Sequence, residues 1–458
     1  MNALWTSTEI EAATGGVASA PFEVTGVTFD SREAGPGDLF VAMPGTASDG
    51  HAFVDQAFAQ GAVAALVSNA VTGPHVLVGD VAEALIALAI EARRRTAATV
   101  IGVTGSVGKT STKEALAAAL ARSRKGPVHR SVKSYNNHTG VPLSLARMPR
   151  DTRFAVLEMG MNHAGEIAAL TRLVRPHVAL ITAVASAHVE QLGSMEAIAD
   201  AKSEIFEGLE EEGIAVIPED SPWRDRLVKA ARGHADRTIT FGRGEEADVA
   251  TMQAARSEDG GSLVTARLVD SELTFTLSQR GDHWISNAMA VLGVVEAVGG
   301  DLAAAGLALA DLGGLKGRGQ RHRVKVEGGT ALLIDESYNA NPASMAATLA
   351  SLGSEPVTGR RIAVLGPMRE LGPEAEAMHA ALAGPIRDAK VERLVLVGPD
   401  MAVLAAAFDG EIESVVADTV EEATRLLQAI LAPGDVVLVK ASNSVGLAAL
   451  VDRVAGAV

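Results

Sequence analysis

The sequence predicts an α/β fold with mostly parallel sheets, and three observations support this prediction. Short apolar segments alternate with alanine-rich segments of helical periodicity along most of the chain, the pattern of parallel sheets covered by helices. One apolar segment, 98–103, runs directly into a glycine-bearing loop that ends in Gly-Lys-Thr, and a helical stretch follows. The length of 458 residues gives room for roughly three domains of ordinary size.

We expect the first domain, residues 1–96, to be a small α/β unit. Segments 63–67 and 76–78 are short and apolar, as buried strands are. Residues 81–95 have the periodicity of a helix and end in three arginines, and cations stabilise the C-terminal end of a helix. The boundary to the second domain is expected near Thr96.

The central domain, residues 97–314, is predicted to contain a parallel sheet with an antiparallel extension. From residue 234 to residue 277 the sequence changes to alternating apolar and polar residues, as in half-buried antiparallel strands. The predicted parallel strands are 98–103, 154–157, 178–181 and 214–217.

A glycine-rich segment, 313–319, is the clearest linker in the chain. The third domain, residues 315–458, begins there and again alternates apolar strands with helical stretches. Its predicted strands are 331–334, 361–365, 393–397 and 435–439.

The loop after the first central strand has the composition of a phosphate-binding loop. Backbone N–H groups and the helix N-terminus would meet the phosphates, Lys109 would reach the β- and γ-phosphates, and the Thr110 hydroxyl would sit on Mg²⁺. Val103 stands where the strict nucleotide-binding pattern has glycine, so an ordinary glycine-rich turn is the alternative. The flanking strand and helix favour ATP or GTP binding, by the residues Thr104, Gly105, Ser106, Val107, Gly108, Lys109, Thr110 and Ser111.

Three further residues are candidates for metal chemistry in the central domain. Glu158 ends an apolar strand, where α/β sheets bind ligands, and would hold the Mg²⁺ of the nucleotide. His188 follows the 178–184 segment, and a packed or surface histidine is an equal alternative. Lys202 lies on an apolar helical stripe, and its periodicity favours a side chain that snorkels to water. A desolvated, neutral amine at Lys202 could instead react with CO₂ and supply a carbamate to a second metal ion.

Composition excludes several classes of partner and site. The net charge of −16, with no long basic stretch, argues against nucleic acid or an anionic membrane as the main partner. Without cysteine there is neither a disulfide framework nor a thiolate metal site. A basic secretory leader and an apolar run of membrane-spanning length are also lacking. We therefore expect a cytoplasmic protein.

Taken together and in this order, these motifs resemble the Mur ligase family, the ATP-dependent amide-forming enzymes of peptidoglycan precursor synthesis. Segments 29–51, 104–111, 158–166, 201–206 and 335–342 carry the resemblance over nearly the whole chain. It implies a uridine-nucleotide domain, a central P-loop ATPase domain and a C-terminal Rossmann-like domain. Two Mg²⁺ ions and a carbamylated Lys202 are implied as well, with Thr110, Glu158 and His188 as further metal ligands.

The resemblance also implies roles for residues that are generic when each is considered alone. Uridine-nucleotide contacts are implied for Ser31, Arg32, Asp49, Gly50 and His51. Other substrate contacts are implied for Asn136, Asn137, Thr139, Asn339 and Asn341, and ATP contacts for Asn287, Arg318, Asp335 and Tyr338.

Segments 113–114, 136–142 and 334–342 are most similar to the family member that adds the final dipeptide. The expected reaction joins D-alanyl-D-alanine to UDP-N-acetylmuramoyl-tripeptide through an acyl phosphate, in an enzyme expected to be monomeric. Three positions depart from the family pattern: Trp284 replaces a common Asn, Pro367 a usual Asp and Asn443 a usual Arg. The alternatives are another amide ligase of this superfamily, a diamino-acid-adding enzyme or a folylpolyglutamate synthase, and a P-loop kinase or nucleotide switch.

Overall fold

The computed structural model describes residues 3–45, 48–186, 189–257, 260–408 and 410–456. Four sheets are formed by the described residues, and helices cover the three larger ones. The architecture is the predicted α/β class. Within the described residues, no helix combines the length and the apolar character that crossing a bilayer requires.

The first part of the chain forms a sheet of five short strands and a separate two-stranded pair, β1 with β3. The five strands are ordered β2-β7-β6-β5-β4, and only the β2–β7 pair is antiparallel. The elements are β1 (Trp5–Thr6), α1 (Ser7–Thr14), β2 (Val17–Ala18), β3 (Glu23–Val24), β4 (Gly26–Thr28), β5 (Asp38–Val41), α2 (Val54–Gln60), β6 (Ala64–Val67), β7 (His75–Leu77) and α3 (Val81–Arg94).

The central sheet has nine strands in the order β16-β15-β14-β13-β12-β11-β8-β10-β9, parallel from β9 to β14 and antiparallel beyond. The antiparallel extension is present in β14, β15 and β16, but β13, which lies in the same predicted segment, pairs in parallel with β12 and β14. Its strands are β8 (Thr99–Thr104), β9 (Val128–Arg130), β10 (Phe154–Glu158), β11 (Val178–Ile181), β12 (Ile214–Pro218), β13 (Arg237–Gly242), β14 (Val249–Arg256), β15 (Ser262–Arg267) and β16 (Glu272–Leu277). Its helices are α4 (Lys109–Arg122), α5 (Gly140–Ala146), α6 (Glu166–Val174), α7 (Val189–Leu192), α8 (Met195–Ser203), α9 (Arg224–Ala231), α10 (Asp282–Ala297) and α11 (Leu302–Ala310).

Successive residues of β8 pack on opposite faces of the central sheet, which gives this part of the chain two apolar cores. Ile101 and Val103 pack in the core that contains α4, α10 and α11. Val100 packs in the core that contains α6, α8 and α9. Because both faces are covered, the strands read as continuous apolar runs, and their positions could be predicted from the sequence.

The third sheet is ordered β17-β18-β22-β19-β20-β21, and all pairs except β17–β18 are parallel. The sequence did not predict β17, because it is a polar edge strand in which only Val324 is buried. The strands are β17 (Gln320–Val326), β18 (Gly329–Glu336), β19 (Arg361–Leu365), β20 (Arg393–Val397), β21 (Glu413–Ala417) and β22 (Val436–Lys440). The helices are α12 (Pro342–Gly353), α13 (Ala375–Ala380), α14 (Ala383–Asp388), α15 (Ala402–Ala406), α16 (Val420–Ile430) and α17 (Ala448–Ala455).

Candidate active site

The predicted phosphate loop connects β8 to α4, as its sequence requires. Gly105 and Gly108 have φ of +150° and +85°, a region that other residues rarely adopt. Space is also restricted at Gly108, because a Cβ there would lie 3.0 Å from Oδ1 of Asn287. Lys109 Nζ donates to the carbonyl oxygen of Gly105 at 2.6 Å. The lysine side chain therefore folds back over its own loop, the position in which it can meet a phosphate.

Glu158, at the end of β10, is brought to this loop. Its carboxylate is 1% exposed, and its Oε2 accepts a hydrogen bond from Thr110 Oγ1 at 2.8 Å. Asn136 Nδ2 donates to the other oxygen at 2.8 Å. Ser134 Oγ lies 3.1 Å from Thr110 Oγ1. Residues distant in sequence thus converge at one edge of the central sheet.

Lys113 also belongs to this cluster. In the sequence, it was considered only for its similarity to one member of the family. Its side chain is fully buried, and Nζ lies 3.7 Å from Glu158 Oε2 and 3.2 Å from Glu114 Oε1. Nζ also donates to the carbonyl oxygens of Ser131 and Lys133, at 2.8 and 2.6 Å. A signal was present in the sequence, since Lys113 continues the buried stripe of α4 at 116, 117 and 120.

Lys202 lies on α8 and does not snorkel, so the interpretation that its periodicity favoured is wrong. The residue is 2% exposed. Burial lowers the pKa of Lys202 well below its usual range, and the charge of Lys109 lowers it further. Among the described residues, no hydrogen bond or ion pair holds this amine. His188, the other residue predicted beside it, lies outside the described residues.

The oxygen atoms around Glu158 fit a magnesium ion bound together with a nucleotide. Mg²⁺ prefers oxygen ligands, and in phosphate-transfer sites it takes one or two carboxylates plus phosphate oxygens. Glu158 and Thr110 supply such a carboxylate and hydroxyl. In the described part of the chain, no group of three or more His, Cys, Asp or Glu residues could hold a metal ion unaided. An ion held here therefore needs the phosphates as additional ligands.

A cavity opens from the phosphate loop to the start of α10 and to the third sheet. Its wall contains Ser106 through Ser111, together with the predicted residues Asn287, Arg318, Asn339 and Asn341. Trp284 also lines it, although the residue is only 6% exposed. Thr104 and Gly105 lie at the base of the loop, in the strand end and the turn. The cavity thus combines residues of the central and third parts of the chain.

Asp335, for which the resemblance implies an ATP contact, has hydrogen-bond partners within the protein. Its Oδ2 accepts from the N–H of Gly317 at 2.7 Å, and its Oδ1 accepts from the backbone and hydroxyl of Ser337. The carboxylate is therefore engaged in holding the linker to β18. The next residue, Glu336, lines the cavity instead and faces Lys440 Nζ at 3.7 Å. Sequence reasoning missed both Glu336 and Lys440.

The segment after β18 is held in place by its own side chains and by the linker. The guanidinium carbon of Arg318 lies 4.1 Å above the ring centroid of Tyr338, so Tyr338 supports the cation that lines the cavity. Asn341 caps α12 by accepting from the backbone N–H of Ser344. The pKa of Glu336 is raised and that of Lys440 is lowered, both chiefly by burial.

The residues predicted in the first domain form two small groups, one at positions 49–51 and one at positions 31–32. His51 Nδ1 lies 2.6 Å from Asp49 Oδ1, and its Nε2 accepts from the backbone N–H of Ser68 at 2.9 Å. Gly50 begins the short 3₁₀ turn between Asp49 and α2. Ser31 Oγ donates to Gln56 Oε1 at 3.1 Å.

Arg32 forms a two-point contact with Asp30, at 2.9 and 2.7 Å. Hydrogen bonding to Arg32 lowers the pKa of Asp30 to about 2. The arginine side chain remains 81% exposed, so its guanidinium is accessible to an anionic ligand.

Asn137 and Thr139 belong to the turn that begins α5. Asn137 Oδ1 accepts from the backbone N–H groups of Thr139 and Gly140. Of the three predicted residues in this loop, Asn136 reaches Glu158, whereas the amide oxygen of Asn137 is engaged by the turn. The loop also reaches the first sheet, because the rings of Tyr135 and Phe29 lie 5.1 Å apart.

Three family models match successive segments of this chain, and relatives match it over most of its length. The Mur ligase family catalytic domain matches residues 23–123, the Mur ligase middle domain residues 103–295, and the Mur ligase glutamate ligase domain residues 317–443. UDP-N-acetylmuramoyl-tripeptide–D-alanyl-D-alanine ligase of Bacillus subtilis is 36% identical, over 96% of both chains. The protein of the same name in Escherichia coli is 36% identical, over 86% of this chain and 85% of its own.

Solved structures agree with these sequence matches. Crystal structure I of MurF from Acinetobacter baumannii superposes with a TM-score of 0.84 at 28% identity, over 99% of both chains. MurF ligase from Thermotoga maritima in complex with ADP gives a TM-score of 0.76 at 29% identity, over 94% of this chain and 97% of the other.

Proposed function

We propose that this chain, which belongs to the Mur ligase family, uses ATP to join D-alanyl-D-alanine to UDP-N-acetylmuramoyl-tripeptide. Membership of the family makes it an ATP-dependent ligase. The specific substrates are those in the names of its relatives. The product would be the pentapeptide precursor of peptidoglycan.

The observation that carries the proposal is the position of Lys109 and Thr110 on the wall of a cavity whose other wall belongs to the third sheet. Glu158 is hydrogen-bonded to this Thr110. A kinase needs the phosphate-loop side of this cavity, but it does not need the wall that the third sheet provides. A ligase must also bring a second substrate to the activated one, and a cavity between two sheets can do this.

In the proposed reaction, the terminal carboxylate of the tripeptide attacks the γ-phosphorus of ATP, and ADP leaves. The amine of the dipeptide then attacks the acyl carbon, phosphate leaves, and the amine loses a proton as the amide forms. Lys109 and Arg318 would reduce the repulsion between the carboxylate and the phosphate, which is the main obstacle to the first step. Asn287 would contact the adenine.

Thr110 and Glu158 would hold Mg²⁺, whose positive charge would neutralise the γ-phosphate. A carbamylated Lys202, together with His188, would hold a second ion. The Lys202 amine is buried and has no partner among the described residues, and its lowered pKa favours the neutral form that reacts with CO₂. The carbamate would then provide a negatively charged oxygen ligand for the second ion, which an unmodified lysine cannot provide.

We assign residues 1–96 to the uridine nucleotide, residues 97–314 to ATP and residues 315–458 to the incoming dipeptide. Ser31, Arg32 and the 49–51 turn would bind the uridine nucleotide, and Asn339 and Asn341 would position the dipeptide. Glu336 is our preferred contact for the ribose, in place of Asp335. We further propose that the enzyme acts as a cytoplasmic monomer.

Phosphate release from ATP tests this function when the two substrates are added separately and then together. Release that requires both, with a product of pentapeptide mass, is the expected result. Release without the dipeptide would reject the assignment, and transfer of phosphate to a stable product would indicate a kinase. Lys109→Ala should abolish turnover, and the release assay on this variant checks it.

A further inference from the structure

A short stretch of chain, residues 131–136, runs alongside the end of β10 and is called the bridging segment below. The backbone N–H of Ser131 donates to the carbonyl oxygen of Val156 at 3.1 Å. At the other end of the segment, the carbonyl oxygen of Asn136 accepts from the N–H of Gly160 at 2.7 Å. The segment is therefore fixed at both ends to the strand end that carries the candidate metal carboxylate.

Two side chains of the bridging segment contact the candidate active site. Ser134 Oγ lies 3.1 Å from Oγ1 of Thr110, the hydroxyl at the start of α4. Asn136 Nδ2 donates to Glu158 Oε1 at 2.8 Å. Each of the two groups that we assign to Mg²⁺ therefore has a hydrogen-bonding contact from this segment.

The alternate side chains, Lys133 and Tyr135, contact the turn that follows β4. Lys133 forms an ion pair with Glu33. The ring of Tyr135 lies 5.1 Å from that of Phe29, tilted by 49°, and Lys133 Nζ lies 5.7 Å from the centroid of the same tyrosine ring. The bridging segment thus joins the first part of the chain to the candidate metal site.

The backbone of the segment is held in one conformation. Lys113, which is fully buried, donates from Nζ to the carbonyl oxygens of Ser131 and Lys133 at 2.8 and 2.6 Å. Lys133 has a φ of +53°, a conformation that side chains other than those of glycine, asparagine and aspartate rarely adopt. A residue keeps such a conformation where its surroundings determine it. A contact made on one side of the segment therefore fixes the side chains on the other.

We propose that Lys133 and Tyr135 are positioning residues, which orient Glu158 through Asn136 by holding the bridging segment against the turn after β4. This inference rests on the proposed function, in which Glu158 and Thr110 hold the Mg²⁺ that binds with ATP. In the described part of the chain, neither positioning residue lines the nucleotide cavity. Their influence on the metal is therefore exerted through the segment.

The test measures binding of the ATP analogue AMP-PNP by calorimetry, in Mg²⁺ and again in EDTA. The variant combines Lys133→Asn, which suits the left-handed backbone, with Tyr135→Leu, which keeps an apolar side chain. We expect it to bind AMP-PNP about 3- to 30-fold more weakly than the wild type in Mg²⁺, the loss of one exposed ion pair and one aromatic contact. The affinity in EDTA should be unchanged, because the phosphate loop itself is intact.

Arg150→Gln is the matched control. Arg150 forms an ion pair with Glu9, so this pair also joins the first part of the chain to the central one, and its exposure is similar to that of the Lys133 pair. The control should keep the wild-type affinities in Mg²⁺ and in EDTA, because neither Arg150 nor Glu9 belongs to the bridging segment. Adding Glu33→Gln to Lys133→Asn should weaken binding no further, because both changes remove the same ion pair.

A merely structural role for the two residues would weaken AMP-PNP binding equally in Mg²⁺ and in EDTA, and this result would overturn the inference. A double variant with the wild-type affinity in Mg²⁺ would overturn it as well and leave the proposed function intact. If the wild type binds AMP-PNP equally well in Mg²⁺ and in EDTA, the metal assignment of the proposed function fails and this inference fails with it.

Discussion

Two lysines are buried at the same edge of the central sheet, and their surroundings differ. Lys113 has two carbonyl oxygens within hydrogen-bonding distance and two carboxylates within 4 Å. Lys202 has no such partner among the described residues, and its pKa is lowered well below the usual range. The comparison teaches that burial alone does not assign a role to a lysine. The partners decide whether the amine acts as a structural cation or as a neutral group open to reaction.

The largest expected effect is on stability and concerns Lys113. Lys113→Met leaves Glu158 buried without its nearest cation and leaves two carbonyl oxygens unpaired. We expect the free energy of unfolding to fall by about 3–5 kcal/mol, measured by denaturant titration without nucleotide. Lys125→Met is the control, because this exposed lysine donates one hydrogen bond among the described residues, to the carbonyl oxygen of Gly299. An equal loss in both variants would contradict the comparison.

The second effect is on rate and concerns Lys202. Lys202→Ala should lower kcat by about 10²- to 10³-fold, the usual result of removing a group that stabilises charge in the transition state. Acetate or formate should restore part of the activity, because a small carboxylate could replace the carbamate that we propose at Lys202. The measurement is phosphate release with each additive at constant ionic strength. Restoration by methylamine instead would show that the cationic form of Lys202 is the active one.

A partly buried base, His129, extends the comparison to a side chain that has a hydrogen bond and still has a lowered pKa. Burial lowers the pKa of His129 to about 4, and its Nε2 lies 2.7 Å from the carbonyl oxygen of Ser144. Between pH 6.5 and 4 the unfolded chain binds a proton that the folded protein does not. Stability should therefore fall as the pH is lowered through this range, with about 3 kcal/mol due to His129.

Denaturant titrations of the wild type and of His129→Asn at pH 7 and pH 4.5 measure this contribution. The variant should lose less stability than the wild type on acidification. Parallel losses in the two proteins would assign the acid sensitivity to carboxylates instead.

The smallest expected effect is on the stability of a Lys202 variant. Its sign is opposite to that of the change in unfolding free energy expected for Lys113→Met. Lys202→Met removes an amine that is desolvated without compensation, and methionine has a similar length. The free energy of unfolding should stay the same or rise by about 1 kcal/mol. Thermal unfolding in CO₂-free buffer tests this. A marked loss of stability would reveal a structural partner of the amine.

The sequence predicted most strands of the fold because they are buried on both faces, as in Phe154–Glu158 and Val178–Ile181. It could not predict β17, whose polar residues lie at a sheet edge. At the site, the phosphate loop was predictable because its backbone takes positive φ values, at Gly105 and Gly108, that favour glycine. The partners of Lys113 and the place of Glu336 on the cavity wall were not, since they depend on where loops from separate strands meet.

The anchoring of the linker has a consequence for modular evolution and for protein engineering. Asp335 holds Gly317 by a hydrogen bond, the N–H of Gly319 donates to the carbonyl oxygen of Asp335, and Arg318 stacks on Tyr338. All the groups that orient Arg318 thus belong to the C-terminal part of the chain. A chimera joined at residues 314 and 315 would inherit this arginine from the parent that contributes the third sheet, and the two would be exchanged as one unit.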